Sequence, residues 1–124
     1  MSTRRVALLL IAHGSRREEA NAEFEFVASA IRDRGRYPIV QVAYLELAEP
    51  TIDAGGALCV EAGATDVILL PYFLSPGKHV VEDLAAARAR NAARFPHVRF
   101  ALAEPIGRHP LIVDVLEERA REAE

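Results

Sequence analysis

Apolar residues along this chain follow two rhythms. Short runs without polar alternation begin at Val6, Ile39, Val67 and His97-Val98, and between them lie longer segments whose apolar positions recur every three to four residues. An unbroken apolar run containing β-branched residues fits a strand covered on both faces of a parallel sheet, whereas the 3.6-residue repeat is that of a helix lying on such a sheet. The strands are therefore predicted at Val6 to Ala12, Ile39 to Tyr44, from Val67 to about Leu74, and His97 to Leu102. The helical stripes are Ala20, Phe24, Val27 and Ile31, then Ile52, Gly56 and Cys59, then Val80, Leu84 and Ala87, and finally Ile112, Val115, Leu116 and Ala120.

Local signals set the expected boundaries. Ser15-Arg16-Arg17-Glu18 matches a capping box, which would start the first helix at Ser15, and Gly35 closes it after Arg34. Pro50 and Pro110 suit the first turns of the second and last helices, and Gly63 closes the second. The third helix begins near His79 and runs to about Ala93. Gly55 and Gly56 each weaken a helix by about 1 kcal/mol relative to Ala, so they are expected where the second helix packs closely on the sheet. Four successive βα units with right-handed crossovers predict one α/β domain over residues 1–124. Its form is a flavodoxin-like three-layer sandwich, a four-stranded parallel sheet of order 2-1-3-4 with helices on both faces.

Composition narrows the function. Half of the 124 residues are hydrophobic and 27% are charged, so the chain should fold on its own. A net charge of −3 with scattered basic residues argues against nucleic acid as a partner. The single cysteine, Cys59, falls on a helical stripe and reads as a small core residue in a reducing cytoplasm. No apolar run suggests a signal peptide or a membrane span. Phosphate-loop, dinucleotide and C-x-x-C motifs are absent, as is the G-x-S-x-G nucleophile elbow.

The candidate chemistry lies in two histidines. His13 follows the first strand and His79 ends the loop after the third, and in the order 2-1-3-4 these strands are neighbours about 4.8 Å apart, bordering a crevice at their carboxyl ends. Two imidazoles there could share one metal ion while leaving coordination positions open, and imidazole suits first-row divalent metals. A histidine after an apolar strand also serves as a helix cap or a hydrogen-bonded core residue, and the residues alone leave both readings standing. His97 lies at a strand start, on the opposite edge, and His109 precedes Pro110 as a helix cap. Arg16, Arg17 and Lys78 flank the two histidines and could receive an anionic ligand, or simply be solvated.

Three segments carry a resemblance: Ala12-His13-Gly14-Ser15-Arg16, Leu45-Glu46-Leu47-Ala48-Glu49-Pro50-Thr51-Ile52, and Pro71 through Asp83 with its Ser75-Pro76-Gly77-Lys78-His79 core. In this order they resemble the small CbiX-type sirohydrochlorin cobaltochelatases, a likeness running from about Val6 to Gly107. The resemblance implies an ATP-independent class II chelatase that inserts a divalent metal, foremost cobalt, into sirohydrochlorin on the way to cobalamin or sirohaem. Alternatives are a sirohydrochlorin ferrochelatase or nickelochelatase, or a metal or tetrapyrrole carrier without turnover. Asn91 to Pro96 lacks the histidine-rich insert of some nickel-inserting relatives.

By the same resemblance His13 binds the metal and accepts a pyrrole proton, and His79 is the second ligand. Leu74, Ser75, Pro76, Gly77 and Lys78 line the tetrapyrrole, and Glu49 contacts it. Glu46 is a further candidate for the second proton. No permanently bound cofactor is expected, since Co²⁺, Fe²⁺ or Ni²⁺ would be a substrate. Larger class II chelatases hold two such domains in tandem, so a single copy is expected to work as a homodimer, with Tyr72, Phe73 and Leu74 available to the partner or the macrocycle.

Overall fold

The computed structural model describes residues 3–124. Strands and helices alternate throughout: β1 (Val6–Ala12), α1 (Glu18–Arg34), β2 (Ile39–Tyr44), α2 (Ile52–Glu61), β3 (Asp66–Pro71), α3 (Lys78–Arg94), β4 (Arg99–Leu102) and α4 (Pro110–Glu122). The strands form one parallel sheet of order β2-β1-β3-β4, as the pattern predicts. β1 is central, with Leu9 beside both Gln41 and Leu69, and its middle five residues are buried. That double coverage is why its sequence shows no polar alternation.

The pleat divides the core. Ala7, Leu9, Ile11, Ala43, Val67, Leu69 and Phe100 face Ile52 and Cys59 of α2 and Leu84 and Ala87 of α3. Leu10, Val42 and Tyr44 point the other way and pack with Phe24 and Ala28 of α1. Cys59 is fully buried, and burial pushes its thiol up to about 12, so it behaves as an inert small hydrophobe. Among the described residues no helix is long and apolar enough to cross a membrane.

The paired glycines of α2 part company. A Cβ on Gly55 would lie 2.8 Å from Leu9 Cδ1 and 3.0 Å from Ala43 Cβ, so this residue lets α2 settle onto the sheet. Gly56 faces α3 instead, where a Cβ would overlap the Asn91 amide. Asn91 is buried there, its Nδ2 donating to the Ala87 carbonyl at 2.8 Å and to Asp53 Oδ1 at 3.2 Å. Arg90 also reaches Asp53, at 3.2 Å, so polar contacts join the two helices above their apolar contact.

Three starts differ from the pattern, and a fourth element keeps its start but not its burial. Ser15 does not cap α1, which begins at Glu18 with Arg17 at the cap position; the Ser15 hydroxyl accepts from the Arg17 N–H at 3.0 Å. The segment before it is held as a loop by β2 (below), and the helix starts only once the chain leaves that contact, so Ala20 is exposed. Pro50 precedes α2 rather than entering it: Thr51 is the cap, accepting from the Ala54 N–H at 3.2 Å, and the Pro50 carbonyl accepts from the Tyr44 N–H at 2.9 Å. A hydroxyl can satisfy a free helix amide where proline cannot. β4 starts at Arg99, because the Val98 N–H turns back to the Phe95 carbonyl at 3.0 Å. α4 starts at Pro110 as expected, but none of its residues is buried.

Candidate functional site

The carboxyl ends of β1 and β2 remain joined past the last ladder positions. The Leu45 N–H donates to the Ala12 carbonyl at 3.0 Å, and the Glu46 N–H to the His13 carbonyl at 3.1 Å. Gly14 lies directly against this crossing with φ +98°, and a Cβ there would overlap the Glu46 carbonyl oxygen. Leu47, with φ 64°, then takes a left-handed conformation that is costly for a branched side chain. The result brings Glu46 Oε1 to 3.3 Å from His13 Nε2. Both side chains are more than half exposed, so this contact serves orientation more than stability.

On its other side His13 borders a shallow cavity of about 260 Å³ shared with Ser15, Asn21, Phe24 and Tyr72. The Asn21 amide donates to the Ser15 carbonyl at 2.9 Å and steadies the turn. Tyr72 lies across Phe24, with ring centroids 5.6 Å apart, and Phe24 meets Tyr44 edge-on at 5.7 Å. Burial first, and then the Glu25 carboxylate, raise the Tyr44 phenol above its ordinary value and keep it neutral.

The loop after β3 lies next along the same edge. The Tyr72 N–H donates to the Ile11 carbonyl at 2.7 Å, anchoring the loop to β1. Farther on, the Ile106 N–H donates to the Phe73 carbonyl at 3.1 Å, and Gly107 fits against Leu74 so closely that a Cβ would overlap the Leu74 carbonyl. The β4–α4 loop thus braces the β3–α3 loop. Between them lies a cavity of about 290 Å³ bordered by Leu74, Ser75, Pro76, Val81, Glu104 and Arg108. α3 then begins with Gly77 at its cap position and no side chain over its first amides. Gly77 has ordinary φ (−73°) and open space where a Cβ would stand, so neither strain nor crowding within this chain calls for glycine.

His13 and Glu46 are thus brought together, and Leu74, Ser75 and Pro76 line one cavity. His79 is exposed in the first turn of α3 and lines neither cavity, and among the described residues it makes no side-chain hydrogen bond or ion pair. Lys78 is exposed, its Nζ 3.9 Å from Glu82. Glu49 is exposed, and so are Arg16 and Arg17. Among the described residues no three His, Cys, Asp or Glu side chains could together hold a metal ion. His109 caps α4, accepting from the Leu111 N–H at 3.1 Å, and His97 lies exposed before β4. The pattern missed Glu104 and Arg108; the available signal was Gly107, a glycine in a turn with a close backbone approach.

Known proteins resemble the chain along nearly its whole length. The CbiX family model matches residues 7–123. A chloroplastic sirohydrochlorin ferrochelatase of Arabidopsis thaliana is 38% identical over 112 residues, covering 90% of this chain and 50% of that protein. A sirohydrochlorin cobaltochelatase of Sulfolobus acidocaldarius is 31% identical over 119 residues, covering 95% of this chain and 92% of that protein. Among solved structures, the cobalt complex of the sirohydrochlorin chelatase SirB from Bacillus subtilis subspecies spizizenii aligns with a TM-score of 0.86 and 31% identity. That alignment covers 95% of this chain and 50% of that one. The chain therefore spans half the length, or less, of several relatives it matches.

Proposed function

Because this chain belongs to the CbiX family, we propose that it inserts a divalent metal ion into sirohydrochlorin without a nucleotide, with cobalt the first candidate and iron or nickel the others. The observation that carries this reading is the His13–Glu46 pair at the carboxyl edge of the sheet, 3.3 Å apart and open to solvent. Insertion replaces two pyrrole protons by one dication, so the site must strip water from the metal and take up two protons. A neutral imidazole can ligate the incoming ion or accept a proton, and a carboxylate beside it can orient the ring and pass the proton on. His13 takes the first role, Glu46 the second, and His79 supplies the other metal ligand from the start of α3.

The Leu74–Lys78 loop receives the macrocycle, with Glu49 at its border. Sirohydrochlorin is a polycarboxylate, and the free amides at the start of α3 with Lys78 beside them favour anions. Gly77, open to solvent without a side chain, lets the macrocycle approach the backbone. A planar macrocycle needs a second wall, so the working unit in this reading is a cytoplasmic homodimer.

The test is direct. Protein, Co²⁺ and sirohydrochlorin together should change the macrocycle absorbance faster than the uncatalysed mixture and over many turnovers per chain. Stoichiometric binding without acceleration would instead identify a carrier, and rates with Co²⁺, Fe²⁺ and Ni²⁺ would rank the metals. Lys78→Glu should raise KM for the tetrapyrrole roughly three- to tenfold with little change in kcat, the size expected for reversing one exposed charge. An unchanged KM would remove Lys78 from the substrate contacts.

A further inference from the structure

The side chains of a macrocycle stand at its periphery, away from the centre where a metal enters. Protein groups that read those side chains must therefore stand apart from the metal ligands. Lys78 adjoins His79 and already has Glu82 3.9 Å from its Nζ, so the outer carboxylates need a further cation. In the order β2-β1-β3-β4 the end of β4 lies two strand positions from that of β1, about 10 Å away at 4.8 Å per strand. The loop after β4 is thus placed to meet the outer part of a ligand centred near His13.

That loop carries Glu104 and Arg108, and both border the 290 Å³ cavity it shares with the β3–α3 loop. Leu74, Val81 and Pro105 give the cavity an apolar lining, and Ser75 adds a hydroxyl. Leu74 is 62% exposed and Val81 46%, so this apolar surface has no cover among the described residues. A space of this size is too small for a whole macrocycle and suits one edge of it with a single side chain.

The chain sets Arg108 in place without giving it a partner. Gly107 lies against the Leu74 carbonyl, the Ile106 N–H donates to the Phe73 carbonyl at 3.1 Å, and the His109 N–H turns back to the Ile106 carbonyl at 3.1 Å. The backbone on both sides of Arg108 is thereby fixed beside the β3–α3 loop, which lowers the cost of ordering a contact there. Arg108 is exposed and has no ion-pair partner among the described residues, and the same is true of Glu104. A guanidinium presents a planar fork that matches a carboxylate with two parallel hydrogen bonds. Glu104 repels a carboxylate from its own end of the cavity.

We propose that Arg108 is a specificity-determining residue of this chain: it receives a peripheral carboxylate of the tetrapyrrole between the β3–α3 and β4–α4 loops, with the ring edge resting on Leu74 and Val81. Glu104 opposes that carboxylate and so restricts it to the Arg108 end. This rests on the tetrapyrrole reading proposed above and adds which group at the rim reads the substrate.

The experiment measures retention of metal-free sirohydrochlorin by the full chain, read from macrocycle absorbance after ultrafiltration, which gives a Kd without turnover. Arg108→Ala should raise that Kd roughly three- to tenfold, and Arg108→Lys should raise it less, since lysine keeps the charge and loses the fork. Glu104→Gln should lower it about twofold, because one repelling charge is gone. The affinity for Co²⁺ alone and the thermal melt should match wild type in all three. Arg108→Ala with a wild-type Kd, or with Co²⁺ affinity weakened to the same degree, would overturn the proposal. Glu104→Gln that binds the macrocycle more weakly would overturn it too, since Glu104 and Arg108 would then serve each other as a structural pair. A wild type that retains no sirohydrochlorin would overturn the tetrapyrrole reading and this subsite with it, whereas retention unaffected by Arg108 would sink the subsite alone. Should Arg108→Ala fail to fold, Arg108→Lys and Glu104→Gln decide.

Discussion

His13→Ala should lower the rate of metal insertion roughly 100-fold or more and leave the fold in place. The imidazole lies beyond the end of β1, more than half exposed, so its removal opens no core cavity, and its backbone contacts to β2 survive the substitution. What disappears is the group proposed to ligate the metal and accept the first proton, one that solvent replaces poorly because Glu46 would then have nothing to orient. His79→Ala should act in the same direction, since the side chain is exposed in the first turn of α3 and packs against nothing that the core needs. Initial rates with Co²⁺ and sirohydrochlorin, paired with thermal melts, make the check. Near wild-type rates in a folded His13→Ala protein would end the role given to His13, and the same result for His79→Ala would leave the metal with a single histidine.

A smaller chemical change should do comparable damage. Gly14→Ala adds one methyl group, yet that methyl would occupy the place of the Glu46 carbonyl oxygen, and a φ of +98° is strained for any L side chain. Relief requires the Leu45–Leu47 segment to move off β1, which separates Glu46 from His13 and breaks the two hydrogen bonds that continue the β1–β2 pairing. Strain of about 1–3 kcal/mol would lower Tm by roughly 5–15 °C in a chain of this size. Insertion activity should fall about tenfold or more even where the variant is fully folded, because proton transfer depends on the pair's geometry. Gly77→Ala is the matched control, with ordinary φ and open space around the new methyl; its stability should stay within about 0.5 kcal/mol of wild type. A Gly14→Ala protein as stable and as active as wild type would show that the crossing at Glu46 does not set the site.

The strands, their order and most helix ends were legible in residue patterns because local or layer-wide physics dictates them. β1 reads as an unbroken apolar run since both its faces are covered, Gly35 ends α1 in the left-handed conformation that glycine adopts freely, and Pro110 begins α4 with His109 capping it. That His13 follows β1, and that His79 lies beyond the loop after the neighbouring strand β3, follows from the same pattern. Which carboxylate meets His13 does not follow from it. Glu46 and Glu49 are both plausible in one dimension, and the choice depends on two hydrogen bonds to the end of β1 and on the left-handed Leu47, which no propensity announces. Ser15 fits a capping box, yet the hold of β2 on the preceding residues delays the helix to Glu18. α4 carries an amphipathic stripe, which states that an apolar surface must cover it but not whose. Periodicity and caps are short-range signals that a few neighbouring residues complete, whereas the His13–Glu46 contact, the Gly107–Leu74 brace and the cavity beside that brace arise only when segments far apart in the chain are packed together.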